Sequence, residues 1–320
     1  MFSYRHAFHA GNHADVLKHT VLIATLDHML EKEAALTVVD THAGAGLYRL
    51  DGDYAGTSGE AAEGVLRLLT GTAQKAAAAP AAAAQQPAPA RKTAPKAEVP
   101  LADAIERYLG VIRDFNPKGG ARIYPGSPFI VHHLLRAHDK LKLYELHPTD
   151  ARTLDANIAQ LEAGRQIAVL REDGFGSATK FLPPPSRRAL VLMDPSYEIK
   201  SDYGRVLDFA AEALKRFATG TYAIWYPIIP RPEAHDLPRR LKTLATKSGK
   251  PWLHATLTVK SSKLITTPTG ETQRPGLPAS GMFLINPPYT LKPLLAAALP
   301  QLAERLAQDQ HAGFTLDAGG

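Results

Sequence analysis

The stretch LTVVDTHAGAG, residues 36–46, decides the fold. It is an apolar, β-branched run that leads into a turn containing Gly44 and Gly46, and such a run predicts a buried strand. Ligands bind at the carboxyl ends of strands in a doubly wound sheet, where glycine lets the backbone approach them closely. Asp40, just before the glycines, suits a cationic amino-acid group and would repel a pyrophosphate. The pattern favours S-adenosylmethionine over NAD; the alternative is that both glycines serve only a tight turn.

Outward from this stretch, β-branched runs alternate with helical patterns, which predicts an α/β fold with a doubly wound, seven-stranded, mostly parallel sheet. The last two expected strands follow a long loop and are candidates for an antiparallel pair. The expected strands are Leu36–Thr41, Lys142–Glu145, Ile167–Leu170, Leu190–Met193, Tyr222–Trp225, His254–Val259 and Met282–Ile285, and the expected helices include Asp15–Lys32, Pro148–Ala163, Tyr203–Phe217 and Leu291–Leu306.

About 100 residues separate the first two expected strands, far more than a usual crossover connection. We therefore expect residues 48–121 to form a small inserted helical subdomain, with helices around Gly59–Leu69 and Ala102–Asp114. Between these helices, residues 72–100 are rich in alanine and proline and have no apolar period, which predicts a flexible segment. The catalytic domain would then comprise residues 1–47 and 122–320.

Acidic residues follow the second and third expected strands, as the cofactor hypothesis requires. Glu145 ends the second strand, where a carboxylate can accept hydrogen bonds from both ribose hydroxyls. After the third strand, Asp173 can accept from an adenine amino group, and Gly174 leaves room for the ring. Each acidic side chain alone could instead be a helix N-cap or a solvated charge.

The tetrapeptide Asp194-Pro195-Ser196-Tyr197 follows the fourth expected strand and is similar to the D-P-P-Y motif of amino-methyltransferases. The exocyclic N6 of adenine is a poor nucleophile because its lone pair is delocalised into the ring. The Asp194 carboxylate and the Pro195 carbonyl can accept its two N–H groups, which localises the lone pair, and Tyr197 offers a face for base stacking. Ser196 departs from the motif, and an ordinary Asp-Pro turn is the alternative.

A second tetrapeptide, Asn286-Pro287-Pro288-Tyr289, matches an amino-methyltransferase motif better when taken alone. It follows the last expected strand, whereas the catalytic tetrapeptide is expected after the fourth when the glycine turn follows the first. We therefore predict that residues 286–289 form a structural turn.

The composition sets broad limits. The 320 residues include no cysteine, which excludes disulfides and thiolate metal sites and favours a cytoplasmic location. The formal charge of +6 favours an anionic partner such as nucleic acid, although many basic proteins bind none. No apolar run is long enough to span a membrane, and the N-terminus lacks a signal core. His9 and His13 have a zinc-like spacing, but no further ligands accompany them, so we expect no metal.

Taken together, these motifs resemble the J-type bacterial 23S ribosomal RNA adenine-N6 methyltransferases. The resemblance covers nearly the whole chain and includes SYRHAFHAGNHADVLKHT from residue 3, YPGSP at 124–128, ELHP at 145–148, EDGF at 172–175 and KRFATGTYAIWYP at 215–227. It implies a Rossmann-like class I methyltransferase that acts as a monomer on one adenine of protein-free or early precursor 23S rRNA. The cofactor contacts that it implies are His19, His42, Ser127, Glu145, Asp173, Gly174 and Asp194, with Asp194 catalytic; Tyr4 would contact the adenine, beside Lys18, Pro195 and Tyr197.

Three other functions remain to be weighed. A DNA adenine-N6 methyltransferase would have to flip its base from a duplex, and it usually carries a sequence-reading domain larger than this insertion. A catalytically silent RNA-binding protein on the same fold is disfavoured by the presence of Asp194 and Tyr197. A nicotinamide enzyme requires G-x-G-x-x-G after the first strand, and that pattern is absent.

Overall fold

The computed structural model describes residues 6–51, 59–76, 100–263, 265–266, 272–273 and 276–320. Its centre is a sheet of eight strands in the order β12-β8-β11-β7-β6-β1-β4-β5. The sheet strands are β1 (Thr37–Asp40), β4 (Lys140–Tyr144), β5 (Ile167–Leu170), β6 (Ala189–Met193), β7 (Thr221–Ile228), β8 (Trp252–Thr258), β11 (Ala279–Ile285) and β12 (Gly313–Gly319); short pairs are formed by β2 (Leu47–Arg49) with β3 (Ile123–Pro125) and by β9 (Ile265–Thr266) with β10 (Thr272–Gln273).

The five strands from β7 to β5 run parallel, and β11, β8 and β12 add antiparallel pairings. The predicted α/β fold with a mostly parallel sheet is thus confirmed, as is the antiparallel pairing of the last two expected strands. The expected count of seven strands is wrong by one, because β12 was not foreseen. Its sequence, GFTLDAG, has little β propensity and lies at an exposed edge.

Helices cover both faces of the sheet because the central strands are apolar on both sides. Val38 packs with one set of helices and Val39 with the other, since successive side chains of a strand point to opposite faces. The helices are α1 (His13–Leu30), α2 (Val65–Ala76), α3 (Asp103–Asp114), α4 (Ser127–Leu134), α5 (Pro148–Ala159), α6 (Gly174–Ser177), α7 (Ser201–Arg216), α8 (Pro232–Lys247) and α9 (Leu291–Arg305). No helix in the described part of the chain is long and apolar enough to cross a membrane.

Helix α1 is buried around most of its circumference and carries charged residues into the interior. Asn12 caps it by accepting hydrogen bonds from the backbone N–H groups of Ala14 and Asp15. Lys18 and His19, on its second turn, are both buried. The helix therefore carries polar groups to the carboxyl edge of the parallel strands.

The insertion begins and ends at a separate two-stranded sheet, because β2 pairs with β3. Its helices α2 and α3 contribute Val65, Leu68 and Ile105 to the same core as α1. Helix α2 begins at Val65, later than the expected Gly59, and continues to Ala76, into the first part of the segment expected to be flexible. Residues 77–99 lie outside the described residues, and the domain boundaries stay a prediction.

Candidate active site

A pocket opens at the carboxyl ends of β6, β1 and β4, the edge at which ligands bind in sheets of this kind. The pocket is lined by residues from the loops after these strands, from the N-terminal part of α1 and from α6 and α7. Its lining includes most of the predicted site residues, namely Lys18, His19, His42, Ser127, Glu145, Asp173, Gly174, Asp194 and Pro195, together with His6, Tyr48, Ser196, Ile199 and Arg205.

The glycine turn after β1 binds the predicted ribose acceptor. Gly44 and Gly46 have φ angles of +61° and +81°, which side chains disfavour. A Cβ on Gly44 would also lie 2.5 Å from the Tyr48 hydroxyl. The backbone N–H groups of Gly44 and His147 each donate to a Glu145 oxygen at 2.7 Å. Burial raises the pKa of Glu145, and these two donors oppose that rise. The Glu145 carboxylate is thus fixed at the pocket wall.

Asp40 has a different position from the one expected. It is fully buried and does not line the pocket; instead it accepts hydrogen bonds from the Ser127 hydroxyl at 2.6 Å and the His42 backbone N–H at 3.2 Å. Burial raises its pKa to about 6. The expectation that Asp40 meets a cationic amino group is therefore wrong: its carboxylate binds the Ser127 hydroxyl and the His42 backbone N–H and does not face the pocket.

Asp173 caps the short helix α6 by accepting from the Phe175 backbone N–H, and its other oxygen accepts from Arg205 on α7. The neighbouring Gly174 is required for packing. A Cβ at Gly174 would lie 2.2 Å from the Thr41 carbonyl oxygen, so only glycine lets α6 approach the end of β1 this closely. This backbone contact is a second reason for glycine here; the residue also lines the pocket, and the expected room for a ring stays a prediction.

Two histidines of the lining are neutral. Burial lowers the pKa of both His19 and His42 to about 3. Nδ1 of His42 lies 2.8 Å from the Thr41 hydroxyl, and its ring meets Phe175 edge-on. Nδ1 of His19 lies 2.8 Å from the Tyr124 hydroxyl, while its Nε2 has no hydrogen-bond partner in the described structure. A ligand in the pocket can use that nitrogen.

Asp194 at the end of β6 is joined to α1 through Lys18. The Lys18 Nζ lies 2.5 Å from Asp194 Oδ2 and 2.8 Å from Asp15 Oδ1. Burial alone would lower the pKa of Lys18, but the two carboxylates raise it well above its usual range. Burial raises the pKa of Asp194, and Lys18 offsets only part of this effect. The pocket therefore contains a charged lysine between two carboxylates.

His6 extends this network toward the N-terminus. Its Nε2 lies 3.0 Å from Asp15 Oδ2, which also accepts from the Gly11 backbone N–H at 2.9 Å. Burial opposes ionisation of Asp15, but His6 and Lys18 hold its pKa well below the usual range. Tyr4, two residues earlier, lies outside the described residues, so its predicted contact with adenine stays a prediction.

The tetrapeptide turn exposes Pro195 and Ser196 to the pocket but buries Tyr197 behind it. The Tyr197 hydroxyl donates to the Trp225 carbonyl at 2.7 Å, and its ring packs against Tyr203 at 4.6 Å between centroids. The expected stacking face on Tyr197 is thus covered, which corrects the prediction. Tyr197 has a φ of +54°, and its carbonyl accepts from Arg231 at 3.0 Å. These contacts fix the turn that presents Asp194.

The rival tetrapeptide lies at the other edge of the sheet. Because β11 runs antiparallel to β7, Ile285 pairs with Tyr222 near the start of β7. Asn286 has a φ of +54° and donates to the carbonyls of Ala218 and Gly220. It does not line the pocket. The geometry supports the prediction that residues 286–289 form a structural turn.

The sequence motifs gave no role to several lining or supporting residues, among them His6, Asp15 and Arg205. Asp15 and Lys18 did carry a signal, because the two charges lie in the part of α1 that is buried, and buried charges require partners. Arg205 belongs to an ordinary amphipathic helix and carried none. Among the described residues, no group of acidic, histidine or cysteine side chains is arranged to hold a metal ion.

Comparison with known proteins decides the family. The family profile described as "Ribosomal RNA large subunit methyltransferase D, RlmJ" matches residues 33–83 and 92–317. The chain belongs to this family. This confirms the resemblance inferred from the motifs.

Relatives in this family are similar over nearly their whole length. The chain is 39% identical over 306 residues to the ribosomal RNA large subunit methyltransferase J of Escherichia coli K12, covering 96% of this chain and 94% of that protein. It is 37% identical over 318 residues to the protein of the same name from Haemophilus influenzae, covering 99% and 98%. A crystal structure of protein LPL1258 from Legionella pneumophila superposes with a TM-score of 0.77 at 26% identity, covering 98% of this chain and 99% of that one.

Proposed function

We propose that the protein transfers a methyl group from S-adenosylmethionine to the exocyclic N6 of one adenine in 23S ribosomal RNA. One observation carries the proposal: Asp194 of the D-P-S-Y turn and Gly44 of the D-x-x-x-G-x-G turn line the same pocket. A methyl donor and an amine acceptor must meet at one place for transfer, and proximity of this kind supplies much of the rate.

The lining fits the proposed cofactor. The buried Nε2 of His19 has no partner among the described residues, the Glu145 carboxylate is fixed by two backbone donors, and Gly44 and Gly126 are part of the lining. His19, His42, Ser127, Glu145, Asp173, Gly174 and Asp194 would hold it, although Ser127 and Asp173 already bind other side chains, Asp40 and Arg205. The cofactor supplies an electrophilic methyl group on a sulfonium.

Asp194 is the group proposed to act on the adenine amine. Its Oδ2 is bound by Lys18, whereas its Oδ1 makes no hydrogen bond to any described residue. That oxygen can accept one N–H of the amine while the Pro195 carbonyl accepts the other, which directs the nitrogen lone pair away from the ring. As positive charge develops on nitrogen, the Asp194 carboxylate stabilises it and then takes the proton.

Lys18 acts through Asp194 in this proposal. Its charge opposes the rise that burial causes in the Asp194 pKa, and so favours the ionised carboxylate, whose oxygens accept hydrogen bonds. Its ammonium is itself held by Asp15 and does not need the substrate for charge balance. Tyr197 was expected to stack on the adenine, but its ring is covered by other side chains. No residue is proposed for that role in its place.

The macromolecular substrate is proposed from family membership and from charge. The relatives are named for the large-subunit ribosomal RNA, and the formal charge of +6 suits a polyanion. We further propose that the protein acts as a monomer in the cytoplasm on RNA that is free of ribosomal proteins. Methyl transfer requires that the N6 of the adenine enter the pocket, and a bound ribosomal protein would cover it.

Labelled S-adenosylmethionine with protein-free 23S rRNA, followed by nucleoside analysis, tests the proposal. N6-methyladenosine is expected from the wild type and not from Asp194→Asn, which keeps the side-chain volume. Asn286→Asp is the matched comparison, because it creates a D-P-P-Y sequence at the distant turn and should not restore activity to Asp194→Asn.

Several outcomes would contradict the proposal. Equal product from wild type and Asp194→Asn refutes the role of Asp194, and label on cytosine or on protein refutes the substrate. Efficient methylation of duplex DNA in place of rRNA would favour the DNA enzyme. Tight RNA binding by the wild type without any transfer would favour a catalytically silent binding protein.

A further inference from the structure

A line of three buried side chains connects the inserted helix α3 with the pocket. The hydroxyl of Tyr108 on α3 lies 3.2 Å from that of Tyr124 on β3, and the Tyr124 hydroxyl lies 2.8 Å from Nδ1 of His19. The rings of Tyr124 and His19 are stacked, with centroids 5.6 Å apart. All three side chains are fully buried, and of the three only His19 lines the pocket.

The two contacts determine which nitrogen of His19 carries the proton. If Nδ1 is bare, Tyr124 donates to it and Tyr108 donates to Tyr124, so that both contacts are made and the third hydrogen is on Nε2 of His19, a residue that lines the pocket. If Nδ1 carries hydrogen, it donates to Tyr124 and Tyr124 donates to Tyr108, which leaves the Tyr108 hydroxyl as a buried donor without an acceptor among the described residues. A buried donor without an acceptor costs free energy, and only the donor beside the pocket can be met by a bound ligand, which favours the bare Nδ1.

The charge state of the His19 ring determines how many hydrogens its two nitrogens carry. Burial lowers the pKa of His19 to about 3, so near neutral pH one ring nitrogen carries hydrogen and the other does not. With Nδ1 bare, the hydrogen is on Nε2. That is the nitrogen without a partner among the described residues, and His19 lines the pocket.

We propose that Tyr124 is a positioning residue that holds His19 as the Nε2–H tautomer, so that the ring donates a hydrogen bond to an oxygen of the cofactor. Tyr108 supports this arrangement by donating to the Tyr124 oxygen, which would otherwise be open to a donor from His19. The inference rests on the proposed function for the identity of the ligand. A carboxylate, as in the amino-acid part of S-adenosylmethionine, is the strongest acceptor for such a donor.

Nitrogen-15 NMR of histidine-labelled full-length protein tests the tautomer without any ligand or activity. The His19 signals are assigned by their loss in His19→Gln. We expect hydrogen on Nε2 and a bare Nδ1 in the free wild type. Hydrogen on Nδ1 overturns the inference and leaves the proposed function intact.

Binding of S-adenosylhomocysteine, measured by calorimetry, tests the consequence. Tyr124→Phe removes the donor to Nδ1 and should weaken binding about tenfold, the worth of one hydrogen bond. Tyr108→Phe keeps the contact with His19, so the tautomer should be retained and affinity should fall less. Tyr144→Phe is the matched control, because Tyr144 is also buried and its hydroxyl makes no hydrogen bond to any described residue. The affinity of this variant should equal that of the wild type.

The outcomes separate the two proposals. Unchanged affinity in a folded Tyr124→Phe protein contradicts the positioning role of Tyr124. If the wild type binds no S-adenosylhomocysteine, the proposed cofactor is wrong, and the NMR experiment on the free protein still decides the tautomer. If Tyr124→Phe fails to fold, the wild-type tautomer provides the decision alone.

Discussion

The Nζ of Lys18 lies 2.5 Å from Oδ2 of Asp194, although 176 residues separate them in the sequence. The contact joins the first helix to the end of the fourth strand in chain order of the parallel sheet. It makes the charge state of the proposed catalytic carboxylate depend on a buried cation that no substrate provides.

Lys18→Met should shift the acid limb of the pH–rate profile to higher pH. Lys18 lowers the Asp194 pKa against burial, so its removal raises that pKa, and the ionised carboxylate is then present only at higher pH. Leaving two buried carboxylates without their partner should also cost about 3 kcal/mol of stability. The measurement is kcat/KM against pH. Lys200→Met, at an exposed pair with Glu233, is the control, and an unmoved limb in Lys18→Met would contradict the coupling.

Asp40→Asn should change how stability depends on pH. The pKa of Asp40 is raised from 3.8 to about 6, so the folded state holds this proton where the unfolded state has lost it. The wild type therefore loses stability relative to Asp40→Asn as pH rises from about 4 to about 6, by roughly 3 kcal/mol. Urea unfolding gives the free energy of unfolding of both proteins at several pH values. The difference between the two proteins removes the contribution of the other titrating groups, which they share. A constant difference would be inconsistent with a raised pKa.

Gly174→Ala should destabilise the protein by about 2 kcal/mol and weaken cofactor binding, since the new Cβ meets the Thr41 carbonyl oxygen. Gly204→Ala provides the contrast. Gly204 lies inside α7 with nothing within 4 Å of the added carbon, so alanine should stabilise the helix by about 0.5–1 kcal/mol. Thermal unfolding of both variants tests the pair. Equal effects would show that the close approach of α6 to β1 does not constrain the site.

Arg231→Gln should lower kcat about tenfold with little change in cofactor affinity, because Arg231 fixes the Tyr197 carbonyl in a backbone conformation that costs about 1–3 kcal/mol. A misplaced turn displaces Asp194 and the Pro195 carbonyl without touching the glycine turn. Single-turnover rates and S-adenosylhomocysteine affinities separate the two effects. Arg239→Gln, at an exposed pair on α8, should leave both unchanged.

Asn286→Ala should lower stability and leave the kcat of the folded protein unchanged. The side chain satisfies two carbonyls, of Ala218 and Gly220, and alanine also disfavours the positive φ, so a loss of about 2 kcal/mol is expected. Thermal unfolding and activity at a temperature where both proteins are folded provide the test. A selective loss of kcat would return residues 286–289 to consideration as catalytic.

Most strands of the central sheet, and their alternation with helices, were predicted from local sequence pattern, because a strand's apolar period involves only residues that are neighbours in the sequence. The glycine turn and the acidic strand ends were also readable, since parallel strands bring their carboxyl ends to one edge. The burial of Tyr197 could not be read this way, because it is set by Tyr203 and Trp225 from other elements. Asp40 shows a similar limit: its role depends on the Ser127 hydroxyl, which comes from beyond the insertion.

The pairing of β2 with β3 has a consequence for engineering. Leu47–Arg49 and Ile123–Pro125 pair side by side, so the two ends of the chain between them are held together. Lengthening a connection that is already long costs little free energy, since each doubling of a flexible loop adds about 0.6 kcal/mol to the free energy of closing it. A reporter domain or affinity tag spliced between residues 77 and 99 should therefore be carried by the enzyme without disturbing methyl transfer.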